Sequence, residues 1–151
     1  MVCQVKSATQ FTMQVQICDV PIKAVVDTAA QVTIISDKVY HALKKPPRVL
    51  RDVKLLTACR QLSMAAFVAG PVRMRIGHKW YKENLYVAPI EQDMLLGFDI
   101  LQGVGKAVLD MGRGTLLFDE MHIILDVDSS EGPIVSRVTA AKRRVVPPIQ
   151  W

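Results

Sequence analysis

The stretch Lys23–Ser36, KAVVDTAAQVTIIS, places a single carboxylate between two apolar runs. Asp27 follows three apolar residues and precedes a segment rich in β-branched side chains. A charged side chain is costly to remove from water, so its presence inside a buried strand needs a reason. Either Asp27 ends a strand at a turn, or it stands where an ionisable group is required. The rest of the sequence has to distinguish these two interpretations.

Length and composition fit one globular domain with tails. The chain has 151 residues, half of them hydrophobic, so it can bury a core without disulfides or a structural metal. Its net charge is +5, and Lys23, Lys38, Lys54 and Lys79 are spread along the chain. Spread basic charge is typical of a solvated surface, and only Ala141–Arg144 is dense. We therefore expect no nucleic-acid partner for the domain.

The cysteines and histidines do not form a recognisable metal or disulfide pattern. Cys3, Cys18 and Cys59 are odd in number and widely spaced, and the three histidines stand apart. Reduced thiols suit an intracellular compartment. No signal-like segment and no apolar run approaching about 18 residues is present. We expect a cytoplasmic protein with no metal, no cofactor and no membrane partner.

The first third of the chain predicts strands and one short helix. Apolar and polar residues alternate from Phe11 onward, which indicates a half-buried strand. Further strands are predicted over residues 22–26 and 32–35. Ser36 is a good N-cap for a helix over residues 37–45, which the following prolines would end.

The remainder predicts a series of hairpins. Residues 53–70 form the first, with Thr57–Gln61 at its tip, and residues 71–89 form the second, turning at Gly77-His78. A short helix is expected after Gly97, ending near Gly103 or Gly105. A third hairpin covers residues 106–118, with glycines at its turn. The chain is therefore mostly strands, with one or two short helices.

Two segments in this order resemble the signatures of the retropepsins, the aspartic proteases of retroviruses and long-terminal-repeat retrotransposons. The segment AVVDTAAQVTIIS is similar to the family's catalytic loop, and MLLGFDIL to its second signature. The resemblance covers about Phe11 to Phe118 and includes a flap-sized hairpin between the two signatures. It implies an all-β, retropepsin-like closed β-barrel over residues 11–128, with tails at 1–10 and 129–151.

The resemblance also implies a homodimer. Aspartic proteases need two carboxylates that share one water, and one of the two keeps a proton because like charges so close cannot both ionise readily. The sequence has one Asp-Thr-Ala-Ala motif and is too short for two such lobes. Two chains would therefore supply one Asp27 each, at a two-fold axis.

The resemblance assigns roles to individual residues. Asp27 would be the catalytic carboxylate, and Thr28 would hydrogen-bond across the dimer. Ala29 and Ala30 would support the active-site loop beneath the substrate backbone, and Gly97 would let the short helix pack closely. The residues that would bind the peptide substrate are Gln31, Val32, Thr57, Ala58, Cys59, Arg60 and Leu95.

Three departures from the family pattern bear on function. Ala29 replaces the usual glycine, and the expected flap tip Thr57–Gln61 contains none. Gln31 and Phe98 stand where viral enzymes have an Asp–Arg pair, which favours the retrotransposon form. The expected activity is cleavage of a retrotransposon polyprotein, in the cytoplasm or in virus-like particles.

Two alternatives remain open from the sequence. The first is a catalytically inactive or domesticated retropepsin-like module for dimerisation or peptide binding. The second is a nucleic-acid-binding segment carried by Lys142, Arg143 and Arg144, which predicts salt-dependent binding.

Overall fold

The computed structural model describes residues 9–56 and 63–129, which form strands and two short helices. The strands are β1 Thr9–Ile17, β2 Val20–Val26, β3 Ile34–Ser36, β4 Val49–Leu56, β5 Ser63–Ile76, β6 Lys79–Ala88, β7 Met94–Leu96, β8 Val108–Asp110, β9 Thr115–Phe118, β10 Met121–Ile124 and β11 Asp126–Ser129. The helices are α1 Asp37–Ala42 and α2 Phe98–Gly103. The prediction of an all-β domain with one or two short helices is confirmed.

Six strands close into a ring, which confirms the predicted barrel. Their order is β1, β2, β7, β3, β6 and β5, and pairing of β1 with β5 closes the ring. β4 extends the sheet beyond β5, and β11 pairs with the first residues of β1. β8, β9 and β10 form a separate antiparallel sheet.

The barrel interior is filled by the inward-facing side chains of its strands, which alternate with outward-facing ones along each strand. In β1, Met13, Val15 and Ile17 are buried while Gln14 is exposed, as the alternation predicted, but Thr12, on the polar side of that alternation, is buried as well. Other strands contribute fully buried side chains to the same core, which include Ile35, Met74, Ile76, Leu85, Met94 and Leu96. Burial of one such side chain stabilises the fold by about 1.5–3 kcal/mol.

β7 lies between β2 and β3, although β2 and β3 follow each other in the chain. It runs parallel to β2, with Leu96 opposite Val26, and antiparallel to β3, with Leu95 opposite Ile34. β3 also pairs in parallel with β6. The loop between β2 and β3 is therefore held at the end of β7, beside the start of α2.

The hairpins occur where the sequence predicted them. β4 and β5 pair up to Leu56 opposite Ser63, and the predicted tip Thr57–Gln61 between them lies outside the described residues. β5 and β6 pair up to Ile76 opposite Lys79. Gly77 has a φ of 64°, the left-handed conformation that glycine adopts most readily in such a turn.

Helix α1 begins as predicted but ends three residues early. The Ser36 hydroxyl oxygen accepts from the backbone N–H groups of Lys38 and Val39, at 3.0 and 3.3 Å. The helix ends at Ala42 rather than at Lys45, because Leu43 has an extended backbone and turns its side chain into the core.

Two further differences concern strands. β3 begins at Ile34 rather than at residue 32, because the backbone N–H of Thr33 donates to the Asp99 carboxylate instead of to a neighbouring strand. β10 and β11 were not predicted. Both are four residues long and β11 carries two aspartates, so neither shows a clear apolar alternation.

No helix in the described part of the chain is long and apolar enough to cross a membrane.

Candidate active site

Asp27 lies directly after β2, at the point where three strands meet. Its backbone N–H donates to the carbonyl of Leu96 at 3.0 Å, which continues the β2–β7 pairing by one residue. Its side chain is half-buried, while the next two residues, Thr28 and Ala29, are exposed. Asp27 therefore ends a strand at a turn and also presents a carboxylate at the surface of the barrel. The two interpretations that the sequence left open are compatible.

The loop itself orients the Asp27 carboxylate. Its Oδ1 accepts from the backbone N–H groups of Ala29 and Ala30, at 3.1 and 3.2 Å. The N–H of Ala30 also donates to the Asp27 carbonyl at 3.2 Å, which closes a tight turn. Aspartate commonly organises a turn through such bonds to the following backbone.

Ala29 fits this turn without backbone strain. The described non-glycine residues with positive φ are Cys18, Lys106, Asp119 and Glu120, and Ala29 is not one of them. The turn therefore does not need glycine's conformational freedom at this position. The replacement of the family's usual glycine leaves the loop able to hold the carboxylate.

A partly buried hydrogen-bond network, which the sequence did not predict, holds the far end of the loop. The Thr33 hydroxyl donates to Asp99 Oδ1 at 2.6 Å, and the Thr33 backbone N–H donates to Asp99 Oδ2 at 3.1 Å. The same hydroxyl accepts from the N–H of Gly97 at 3.0 Å. The position of an aspartate two residues after Gly97 in the second signature was the one signal that could have pointed to this network.

Backbone bonds join the loop to α2 as well. The N–H of Phe98 donates to the carbonyl of Ala30 at 2.7 Å, and that of Asp99 donates to the carbonyl of Gln31 at 3.2 Å. Gly97 is buried against the loop, and a Cβ there would lie 2.3 Å from the Val32 carbonyl oxygen. Hydrogen bonds and close packing thus join the two signatures next to Asp27.

The structure brings most of the predicted site residues together. Residues 27–32 form the loop, with Gln31 exposed and Val32 half-buried. Leu95 is half-buried and lies opposite Val25 and Ile34 in the sheet. Thr57, Ala58, Cys59 and Arg60 lie outside the described residues, so their predicted contact with substrate stays a prediction.

Among residues 9–56 and 63–129, no group of His, Cys, Asp or Glu side chains is arranged to hold a metal ion.

A model of the aspartyl protease family matches residues 13–100, which is more than half of the chain and includes both signatures. This chain belongs to the aspartyl protease family. It is a member of the retropepsin type, as the sequence signatures predicted, and two solved structures are similar to it.

The first of these structures is the protease of equine infectious anaemia virus (EIAV), solved in complex with the inhibitor HBY-793. It is 26% identical with a TM-score of 0.54, over 61% of this chain and 85% of the EIAV chain. The second is the retroviral protease-like domain of Ddi1 from Leishmania major. It is 17% identical with a TM-score of 0.58, over 80% of this chain and 95% of that one, and this likeness concerns the fold. No curated protein sequence matches the chain.

Proposed function

We propose that this aspartyl protease is an active endopeptidase that works as a homodimer, with Asp27 as the catalytic carboxylate of each chain. The observation that carries the proposal is the orientation of that carboxylate by the amides of Ala29 and Ala30, in a loop joined to the second signature. Rigid positioning of a catalytic group is what a site of this kind requires.

In the proposed mechanism the two Asp27 carboxyl groups share one proton and hold one water. The ionised carboxylate takes a proton from the water as it attacks the peptide carbonyl carbon, and the protonated one donates a hydrogen bond to the carbonyl oxygen. The proton then passes to the leaving amine when the C–N bond breaks. The pair titrates as a unit, so the pH–rate profile reports on both carboxyls together.

The substrate would be an extended peptide. It would bind as an added strand over the loop, in contact with Gln31, Val32 and Leu95 and covered by the segment between β4 and β5. Its cleavage sites would be mostly apolar. The proposed natural substrate is the polyprotein of a retrotransposon, processed in the cytoplasm or in virus-like particles.

Peptide cleavage between about pH 4 and 6, with and without pepstatin, tests this function. Asp27→Asn should abolish cleavage, because an amide cannot act as the base. Asp19→Asn is the matched control. Asp19 is an exposed turn residue that precedes β2, whereas Asp27 follows β2, so the two carboxylates lie at the two different ends of that strand. A folded dimer that leaves peptides intact across this pH range would instead favour an inactive dimerisation or peptide-binding module.

Mixing the two chains tests the shared site directly. If each active site needs two Asp27 side chains, adding an equal amount of Asp27→Asn chain to wild type should reduce activity to roughly half, because half of the wild-type chains then pair with an inactive partner. Unchanged activity in a mixture whose subunits exchange would contradict a site shared between chains.

A further inference from the structure

Phe98 is an exposed aromatic residue attached to the Asp27 loop. Its side chain is 51% exposed, although it directly follows the buried Gly97. Its backbone N–H donates to the carbonyl of Ala30, so it lies beside the turn that orients the catalytic carboxylate. Single exposed apolar residues are common on protein surfaces, so the position of Phe98 beside this loop, rather than its exposure alone, indicates a contact surface.

No described aromatic or cationic side chain lies against the ring of Phe98, in contrast to the ring of Trp80. Trp80 is also exposed, but the Arg73 guanidinium lies over its ring, 4.5 Å from the centroid. Phe98 takes part in none of the aromatic or cation–ring contacts within the described residues. About half of the surface of Phe98 is therefore open to a partner.

The segments around Phe98 are almost free of charge. Thr28–Ser36 and Met94–Phe98 contain no ionisable side chain. The nearest charge in sequence is Asp99, and its carboxylate accepts hydrogen bonds from Thr33 and from the N–H of Ile100. Burial of these two segments would therefore cover no ionisable side chain of their own, and cores of protein interfaces are depleted in charge and enriched in aromatic residues.

We propose that Phe98 is a principal apolar contact of the dimer and that a second copy of this chain covers it. The inference rests on the proposed function, because that function places the two Asp27 loops against each other at a two-fold axis. Phe98 is attached to the same loop, so each copy brings one ring to the boundary of the shared site. Burial of both rings would stabilise the dimer and hold the two carboxylates at their working separation.

The test compares Phe98→Ala with Ile124→Ala by sedimentation at several protein concentrations. Ile124 is the matched control, since it is 82% exposed but lies on β10, in the separate three-stranded sheet. Phe98→Ala should raise the dimer dissociation constant by at least about tenfold, as expected for an aromatic hot spot lost from both copies. Ile124→Ala should leave that constant within about twofold.

The second measurement is the rate of peptide cleavage per enzyme chain as a function of enzyme concentration. Phe98→Ala should lose activity at low concentration and recover it at high concentration, where the dimer re-forms, because Phe98 is not a catalytic residue. If wild type dimerises and cleaves but Phe98→Ala has the same dissociation constant, the inference is wrong and the proposed function stands. If wild type neither dimerises nor cleaves, the proposed function itself fails.

Discussion

Gly97 has no room for a side chain, and its replacement by alanine is the sharpest test of how the loop is held. A Cβ at this position would lie 2.3 Å from the Val32 carbonyl oxygen, 2.6 Å from the Val32 carbonyl carbon and 3.0 Å from the Ala30 carbonyl oxygen. All three are backbone atoms, so no side-chain rotation can relieve the contact. The φ of −95° and ψ of −178° are open to any residue, so the cost is steric.

The magnitude follows from the parts that must move. Overpacking of a well-packed site costs about 1–3 kcal/mol. Displacing the Val32 carbonyl would also strain the neighbouring bonds of Thr33 to Asp99, and loss of one such bond costs about 1 kcal/mol. We therefore expect Gly97→Ala to reduce the free energy of unfolding by about 3 kcal/mol.

Gly103→Ala is the matched control for this substitution. Gly103 ends α2 in the same segment, and a Cβ there would meet nothing within 4 Å. Both changes lower the entropy of the unfolded chain equally, so Gly103→Ala should be neutral or stabilising by up to about 1 kcal/mol. Urea unfolding at one fixed protein concentration measures both variants, since the stability of a dimer depends on concentration. Stabilities of the two variants within about 0.5 kcal/mol of each other would refute the close packing of Gly97 on the loop.

Two further substitutions test contacts away from the loop. Ser36→Ala removes the acceptor for the first N–H groups of α1 and should lower the free energy of unfolding by about 1 kcal/mol in urea; an unchanged midpoint would contradict the cap. The Tyr81 hydroxyl donates to Asp119 Oδ2 at 2.7 Å and, with Lys79, lowers the pKa of the Asp119 carboxyl. At acidic pH the unfolded state therefore binds more protons at this group, and stability falls as the pH drops through the range between the unfolded and folded pKa values. Tyr81→Phe should therefore lose less melting temperature than wild type between neutral pH and about pH 3. If melting temperature falls with pH equally in both proteins, the Tyr81 hydroxyl does not lower the pKa of Asp119.

Much of the fold could be predicted because its signals are local. Alternation in β1, the cap at Ser36 and the turn at Gly77 each depend on residues within a few positions of one another. Their positions in the structure agree with the sequence prediction, apart from the early end of α1. The strands β10 and β11 were missed because both are short and β11 is rich in aspartate, so their place in the sheet depends on their partners rather than on their own pattern.

The candidate catalytic loop could be predicted only in part. The Asp-Thr-Ala-Ala motif and the Leu-Leu-Gly motif pointed to the candidate site, because together they resemble the two signatures of the retropepsins. Neither motif shows that Thr33 and Asp99 hydrogen-bond to each other, since the two residues are 66 positions apart. Nor does the sequence show that Ala29 fits the turn, which depends on the backbone angles of the folded loop.

Local sequence patterns were enough to predict most of the strands, the resemblance to the retropepsins and the choice of Asp27 as the candidate catalytic residue. The insertion of β7 between β2 and β3, which joins the two signatures and places the exposed Phe98 next to the Asp27 loop, is visible only in the folded chain. The physical reason is that side-chain periodicity depends on near neighbours, whereas the order of strands in a sheet depends on burial and hydrogen bonding between distant segments.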